Sequence, residues 1–185
     1  MIKKIFLLLV FILSASNMYG ATKEDVVKLY LDDNFSSACQ KSAEIYDSYK
    51  EDDEFLNIFA HSCLEADMVN RLVLPIIKLY KTEKARENAA YYSTILYQKK
   101  LLYVALIDGV DISYVNLPKT NYILSIIFEK FVTKDYVLKS GMYTFIDDNN
   151  SQITYTLSIE TEDNFKKMFL RTYKNDKIVK TRTYW

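Results

Sequence analysis

The residue types able to carry chemistry are few and widely spaced. His61 is the single histidine, two residues before Cys63, and Cys39 is the only other cysteine. Nucleophilic triads and most zinc sites need a histidine with partners at defined spacing. His61 has no such partners in the sequence and reads as a core or boundary residue of a helix. The acidic groups Asp32-Asp33, Asp52-Asp53-Glu54 and Asp147-Asp148 are the other candidates, because paired carboxylates can run glycoside hydrolysis. Each falls where the chain is expected to turn or a helix to start, so solvated punctuation explains them. No Gly-rich phosphate loop, nucleophile elbow or calcium loop is present. The expectation is a non-enzyme with no catalytic, cofactor-binding or metal-ligating residues, and with no cofactor.

Two short patterns point to a modification instead. Asp32-Asp33-Asn34-Phe35-Ser36 and Asp147-Asp148-Asn149-Asn150-Ser151 both fit Asp-x-Asn-x-Ser. This resembles the extended acceptor sequence of bacterial periplasmic N-glycosylation, which adds an acidic residue at −2 to Asn-x-Ser/Thr. With 11 Asn, 24 acidic residues and 25 Ser plus Thr among 185, random placement yields about 0.2 such sites. Asn34 and Asn149 are therefore candidate N-glycosylation sites. Turns are also enriched in Asp, Asn and Ser for conformational reasons, which leaves a purely structural origin open.

The N-terminus has the layout of an export signal. Lys3 and Lys4 precede the apolar run Ile5 to Leu13, and small residues follow at Ser14-Ala15-Ser16, Gly20 and Ala21. Residues 1–20 are expected to be a signal peptide, cleaved after Gly20 or Ala21 in preference to Ser16. Removal takes away two lysines and leaves 22 basic against 24 acidic residues. Beyond it the longest apolar runs, Leu72 to Ile77 and Leu101 to Ile107, fall well short of the ~20 residues of a spanning helix. No transmembrane segment is expected after signal removal, and the periplasm is the expected compartment. Apolar residues at 50% and charged residues at 26% describe a packed domain, while formal neutrality argues against a nucleic-acid partner.

An oxidising compartment permits a disulfide. Helices over 36–50 and 54–66, joined by Lys50-Glu51-Asp52-Asp53, place Cys39 thirteen residues before Asp52 and Cys63 eleven after it. At ~1.5 Å per residue the two sulfurs stand within about 3 Å of the same height in an antiparallel pair. A Cys39–Cys63 bridge is expected, with two buried thiols as the alternative.

The remaining elements follow from periodicity. A short helix spans Lys23 to Leu31, and Pro75 kinks Leu72 to Tyr80 or marks a new helix starting just before it. The longest helix runs from Glu83 to about Asp108, between the N-cap Thr82 and Gly109. Its two apolar stripes, Tyr92-Leu96-Tyr103-Ile107 and Tyr91-Ile95-Leu102-Leu106, require neighbours on two sides. A further helix covers Asn121 to Val132. Then the period falls to two: Gln152 to Glu160 alternates Ile153, Tyr155, Leu157 and Ile159 with Thr154, Thr156 and Ser158. Tyr143 to Ile146, Lys167 to Tyr173 and Ile178 to Trp185 complete an antiparallel meander. The fold class is α+β, with N-terminal antiparallel helical hairpins over 21–134 and a small C-terminal β-meander over 135–185. Trp185 is expected to close the sheet core or to join a contact surface.

Asp33-Asn34-Phe35-Ser36-Ser37-Ala38 and Phe59-Ala60-x-x-Cys63 give residues 24–80 a resemblance to tetratricopeptide-like helical repeats. Cys63 replaces that family's aromatic residue, no 34-residue period continues past Tyr80, and an ordinary bundle shows the same pattern. The resemblance implies stacked hairpins presenting a surface to other proteins. The functional expectation is a non-catalytic periplasmic scaffold or interaction protein, a subunit or accessory of a cell-envelope assembly such as, by analogy, a flagellar motor scaffold. A periplasmic small-molecule or lipid-binding protein is the alternative, its ligand lying between the meander and the long Tyr-rich helix.

Overall fold

A computed structural model describes residues 21–185. The export signal expected over 1–20 lies outside the described residues. Helices come first and a five-stranded antiparallel sheet second, so the chain is α+β. Helix α1 spans Lys23–Leu31 and starts at a capping box, with Thr22 Oγ1 accepting from Asp25 N and Asp25 accepting from Thr22 N. Helix α2 (Phe35–Tyr49) is capped by Asn34, and α3 (Asp53–Glu65) by Asp52. Cys39 and Cys63 are joined, with Cα atoms 4.8 Å apart, so the bridge ties α2 to α3 side by side.

A 3-10 turn over Val69–Leu72 leads into the short helix α4, Val73–Lys78. Of the two expectations for this segment, the fresh helix starting just before Pro75 is the one realised. Proline is its third residue, in the first turn, where no intrahelical donor is lost. Helix α5 (Glu83–Asp108) begins at Thr82 and ends at Gly109, whose φ of 69° is the left-handed cap that glycine adopts without strain. It packs against α3, α4 and the 3-10 turn, and also against helix α6 (Ile123–Val132) and the sheet. Its deepest line runs through Ala85, Tyr92, Ile95, Gln98, Lys99, Leu102 and Ala105, taking Tyr92 from one of the stripes read from the sequence and Ile95 and Leu102 from the other. Helix α6 starts two residues later than expected, because Thr120 and Tyr122 build the turn before it.

The strands are β1 (Val137–Lys139), β2 (Met142–Ile146), β3 (Ile153–Glu162), β4 (Phe165–Lys174) and β5 (Lys177–Tyr184), in that spatial order. The β3–β4 and β4–β5 loops are two residues each, Asp163-Asn164 and Asn175-Asp176, all four with φ between 50° and 64°. Two consecutive left-handed residues match the twist of a hairpin, which is why β3 and β4 reach 10 residues, longer than the alternation alone indicated. Phe145, Tyr155, Leu157, Met168, Leu170 and Tyr184 face inward and share one continuous core with α3, α5 and α6. The other face of β3 is not the wetted one its threonines suggested. Thr156 and Ser158 are buried, because Arg171 of the neighbouring strand lies across them with its guanidinium 2.9 Å from Glu160 Oε2.

The turn between α2 and α3 is held from a second direction. Glu51 accepts from Lys78 at 2.7 Å and Lys81 at 2.8 Å, and these two ammonium groups hold its carboxyl down at about 2. A carboxylate lowered in the fold contributes stability above its ordinary value near 4.5, and that contribution is lost as pH falls toward 2. Glu51→Gln should therefore lower the urea midpoint at pH 7, with the difference from wild type closing between pH 4.5 and 2 and shrinking in high salt. The disulfide loop, 24 residues in sequence separation, should contribute about 3.5 kcal/mol on the chain-entropy model. Denaturant unfolding of Cys39→Ser/Cys63→Ser against the oxidised protein measures that difference directly.

Candidate functional site

Asp67 sits where α3 stops. Asp67 N donates to Leu64 O and Met68 N to Cys63 O, the paired bonds of a Schellman end, and Asp67 occupies the left-handed position at φ 59°. Glycine is usual there, since a Cβ costs about 1 kcal/mol or more in this region. Retaining a side chain makes sense from its partners. Its carboxylate accepts from Arg182 Nε at 2.9 Å, Tyr122 Oη at 2.8 Å and Tyr184 Oη at 3.5 Å, and pairs with Lys180 at 2.8 Å. One carboxylate thereby joins the end of α3, the start of α6 and the last strand. Burial first, and the neighbouring phenol and carboxylate next, push the Tyr122 hydroxyl far above its usual range, so it stays a donor. Burial does the same to Tyr184, with the Asp67 charge adding to it.

Beside this cluster lies Lys99, wholly buried on α5. Its Nζ donates to Asn70 Oδ1 at 2.7 Å and to the carbonyl oxygen of Trp185, and Asn70 Nδ2 donates to the same oxygen at 2.9 Å. Burial, with Lys100 next in line, lowers the Lys99 ammonium to about 7. A cleft of about 360 Å³ lies over these groups, between Met68–Arg71 and Thr183–Trp185. The amine at its floor is fully covered and its hydrogen bonds are spent on Asn70 and Trp185, so what it does is hold the end of β5 onto the 3-10 turn.

A second concavity is apolar. Val73, Ile76 and Ile77 of α4 and Leu96 and Tyr97 of α5 line a groove of about 490 Å³, with Asn70, Ser93 and Lys100 at its margins. The sequence of α4, Val-Leu-Pro-Ile-Ile-Lys, is apolar on every side. Pro75 turns inward, which leaves Val73, Leu74 and Ile77 facing out, Ile77 at 66% exposure. Tyr97, 54% exposed, belongs to the same surface. Lys100 at the rim has no ion-pair partner among the described residues.

The residues singled out in the sequence do not converge. His61 is a boundary residue, packed edge-on against Tyr30 and Phe35 with Nε2 3.9 Å from Glu65. The carboxylates are scattered: Asp52 and Glu54 share Lys23, Asp53 accepts from the Thr82 hydroxyl, Asp148 pairs with Lys130, Asp147 accepts from the Tyr155 hydroxyl, and Asp32 and Asp33 are exposed in the α1–α2 turn. Asn34 and Asn149 lie more than a hundred positions apart, each exposed in a turn. Trp185 is 57% exposed with Lys167 over its ring; Tyr184, its neighbour, is the aromatic that closes the sheet core. Among the described residues no group of three or more His, Cys, Asp or Glu is arranged to hold a metal.

The Asp67 and Lys99 clusters were missed from sequence, though signals existed. Lys99 falls on the buried line of α5 between Ile95 and Leu102, and Arg182 shares the inward face of its strand with Tyr184. A cation on an apolar stripe implies a buried acceptor or counter-ion. Asp67→Ala should cost about 3–5 kcal/mol in urea unfolding by leaving Arg182 uncompensated. In the Arg182→Met background the same substitution should cost clearly less, and additive losses would refute the pairing. Compared with known families, curated proteins and solved structures, the chain matches no family model, and no curated protein or solved structure is significantly similar to it.

Proposed function

We propose that this chain is an exported, non-catalytic interaction protein, a subunit or accessory of a cell-envelope assembly, and that the α4–α5 groove is its docking surface. The observation that carries the reading is the exposed apolar face of Val73, Ile77 and Tyr97, because these side chains line one groove between two helices. Contiguous exposed apolar surface of this kind marks interaction sites. Tyrosine at its edge suits an interface, since it supplies contact area at modest entropic cost. Lys100 at the rim favours a partner segment that is apolar in the middle and carries an acidic residue at its margin. The disulfide fits a periplasmic or extracellular protein, and the leader-like residues 1–20 favour the periplasm. No helix among the described residues is long and apolar enough to cross a membrane.

The ligand-binding alternative draws less support. Its ligand would occupy the space between the sheet and α5, and that space is filled by Leu102, Leu157, Met168 and Leu170, all fully buried.

A photo-crosslinking residue at Tyr97 or Ile77 in the native envelope should yield one dominant protein adduct, absent when the crosslinker stands at Asp33. Ile77→Glu should reduce recovery of that adduct at least tenfold without moving the unfolding midpoint, because the side chain is already mostly exposed. Equal adducts from both faces, or a chain recovered alone with a bound lipid mass, would overturn the docking reading.

A further inference from the structure

The two Asp-x-Asn-x-Ser segments are equivalent in sequence and very different in the fold. An oligosaccharyltransferase must draw its acceptor into an extended conformation, to reach the −2 carboxylate, the asparagine amide and the +2 hydroxyl together. At the first segment this is obstructed. Asn34 is the N-cap of α2, its Oδ1 accepting from Ser37 N at 3.3 Å. Phe35 and Ser36 already belong to the helix, and Cys39 pins the next turn of that helix to α3. Extending Asn34-Phe35-Ser36 means unwinding a capped and cross-linked helix end.

The second segment lies in the loop between β2 and β3. The other three connections of the sheet are two residues long and locked into their hairpins, whereas this one spans 147–152. It is the one connection of the sheet with enough chain to be drawn out without breaking strand pairing. Asp148, Asn149, Asn150 and Ser151 are exposed in an unbroken run, and no protein group bonds the Asn149 carboxamide among the described residues. The turn is held by Asp147, whose Oδ1 accepts from Asn149 N and Asn150 N and whose Oδ2 accepts from Tyr155, by the Lys130 to Asp148 pair, and by bonds from Gln152 N to Asn150 Oδ1, Ile153 N to Asn150 O and Asp147 N to Ile153 O. Opening it costs those local bonds and no secondary structure.

We propose that Asn149, and not Asn34, is an acceptor for en bloc oligosaccharide transfer in the folded protein. The donor is a polyprenyl-pyrophosphate-linked oligosaccharide. Asn149 Nδ2 attacks the anomeric carbon, a C–N bond forms, the anomeric C–O bond breaks, and the polyprenyl pyrophosphate leaves with that electron pair while one amide proton passes to solvent water. The glycan then projects from the end of the sheet, where the loop leaves room for it.

In the cell this modification rests on the export reading above, so the test is made on purified protein. The oxidised, folded full chain is incubated with a bacterial oligosaccharyltransferase and its lipid-linked donor, and intact mass and peptide mapping are recorded. One glycan on Asn149 is the expected result. Asn149→Gln, Asp147→Ala and Ser151→Ala should each reduce modification at least tenfold, Ser151→Thr should retain it, and Asn34→Gln should leave it unchanged. Reduced, alkylated and unfolded chain should gain a second glycan on Asn34. Modification of folded protein at Asn34 first, or none at all while a free acceptor peptide is modified in the same tube, overturns the proposal. Export has its own readout, the loss of residues 1–20 from the mass of chain recovered from the periplasmic fraction, so the two ideas fail separately.

Discussion

A carboxylate at a helix end holds the two halves of this protein in register. Asp67 stands at the left-handed position that closes α3, where a side chain carries a conformational cost, and from there it reaches Arg182, Lys180, Tyr122 and Tyr184. The arrangement makes electrostatic sense only as a unit. Arg182 and Tyr184 project from the inward face of an edge strand, and a guanidinium on that face must find an anion or stay out of the core. The α3 end supplies the anion, and Lys99 with Asn70 clasps the next residue of the same strand. The last strand is thus fastened to the helices by polar contacts at one end of a core that is otherwise apolar.

The rest of the molecule is arranged around that junction. Ahead of it, the disulfide and the lysines on Glu51 constrain the first helical hairpin from two directions. Behind it, two-residue hairpin loops set the register of the long strands so that Leu157, Met168 and Leu170 meet Leu102 of α5. The short helix α4 is one place where this packing does not close. Six residues cannot turn apolar side chains on all sides into one core, and the surplus forms the groove against α5.

Much of the backbone was readable because its signals are local. Thr82 and Gly109 bracket α5 through capping and the left-handed stop, the heptad-like rows on that helix imply neighbours on two sides, and Asp52 starts α3 by accepting from Phe55 N. Cys39 and Cys63 could be paired because two antiparallel helices and a known turn fix their heights to within a residue or two. The candidate site was not readable in the same way. Asp67 looks like a helix boundary, Lys99 like one more surface lysine, and Arg182 like solvent-facing punctuation in a strand. Their meaning depends on partners 29 to 117 positions away.

The sequence by itself determined the order of helices and strands, the disulfide partners and the two Asp-x-Asn-x-Ser segments, because capping, alternation, turn chemistry and short-range spacing act within a few residues or a single turn. Only the tertiary structure decided which cations are buried, which apolar residues remain outside and which of the two motifs can be drawn into an extended conformation. Burial and accessibility are properties of what packs against a residue, and α4 against α5, β5 against α3, and Asn34 within a pinned helix end are all products of that packing.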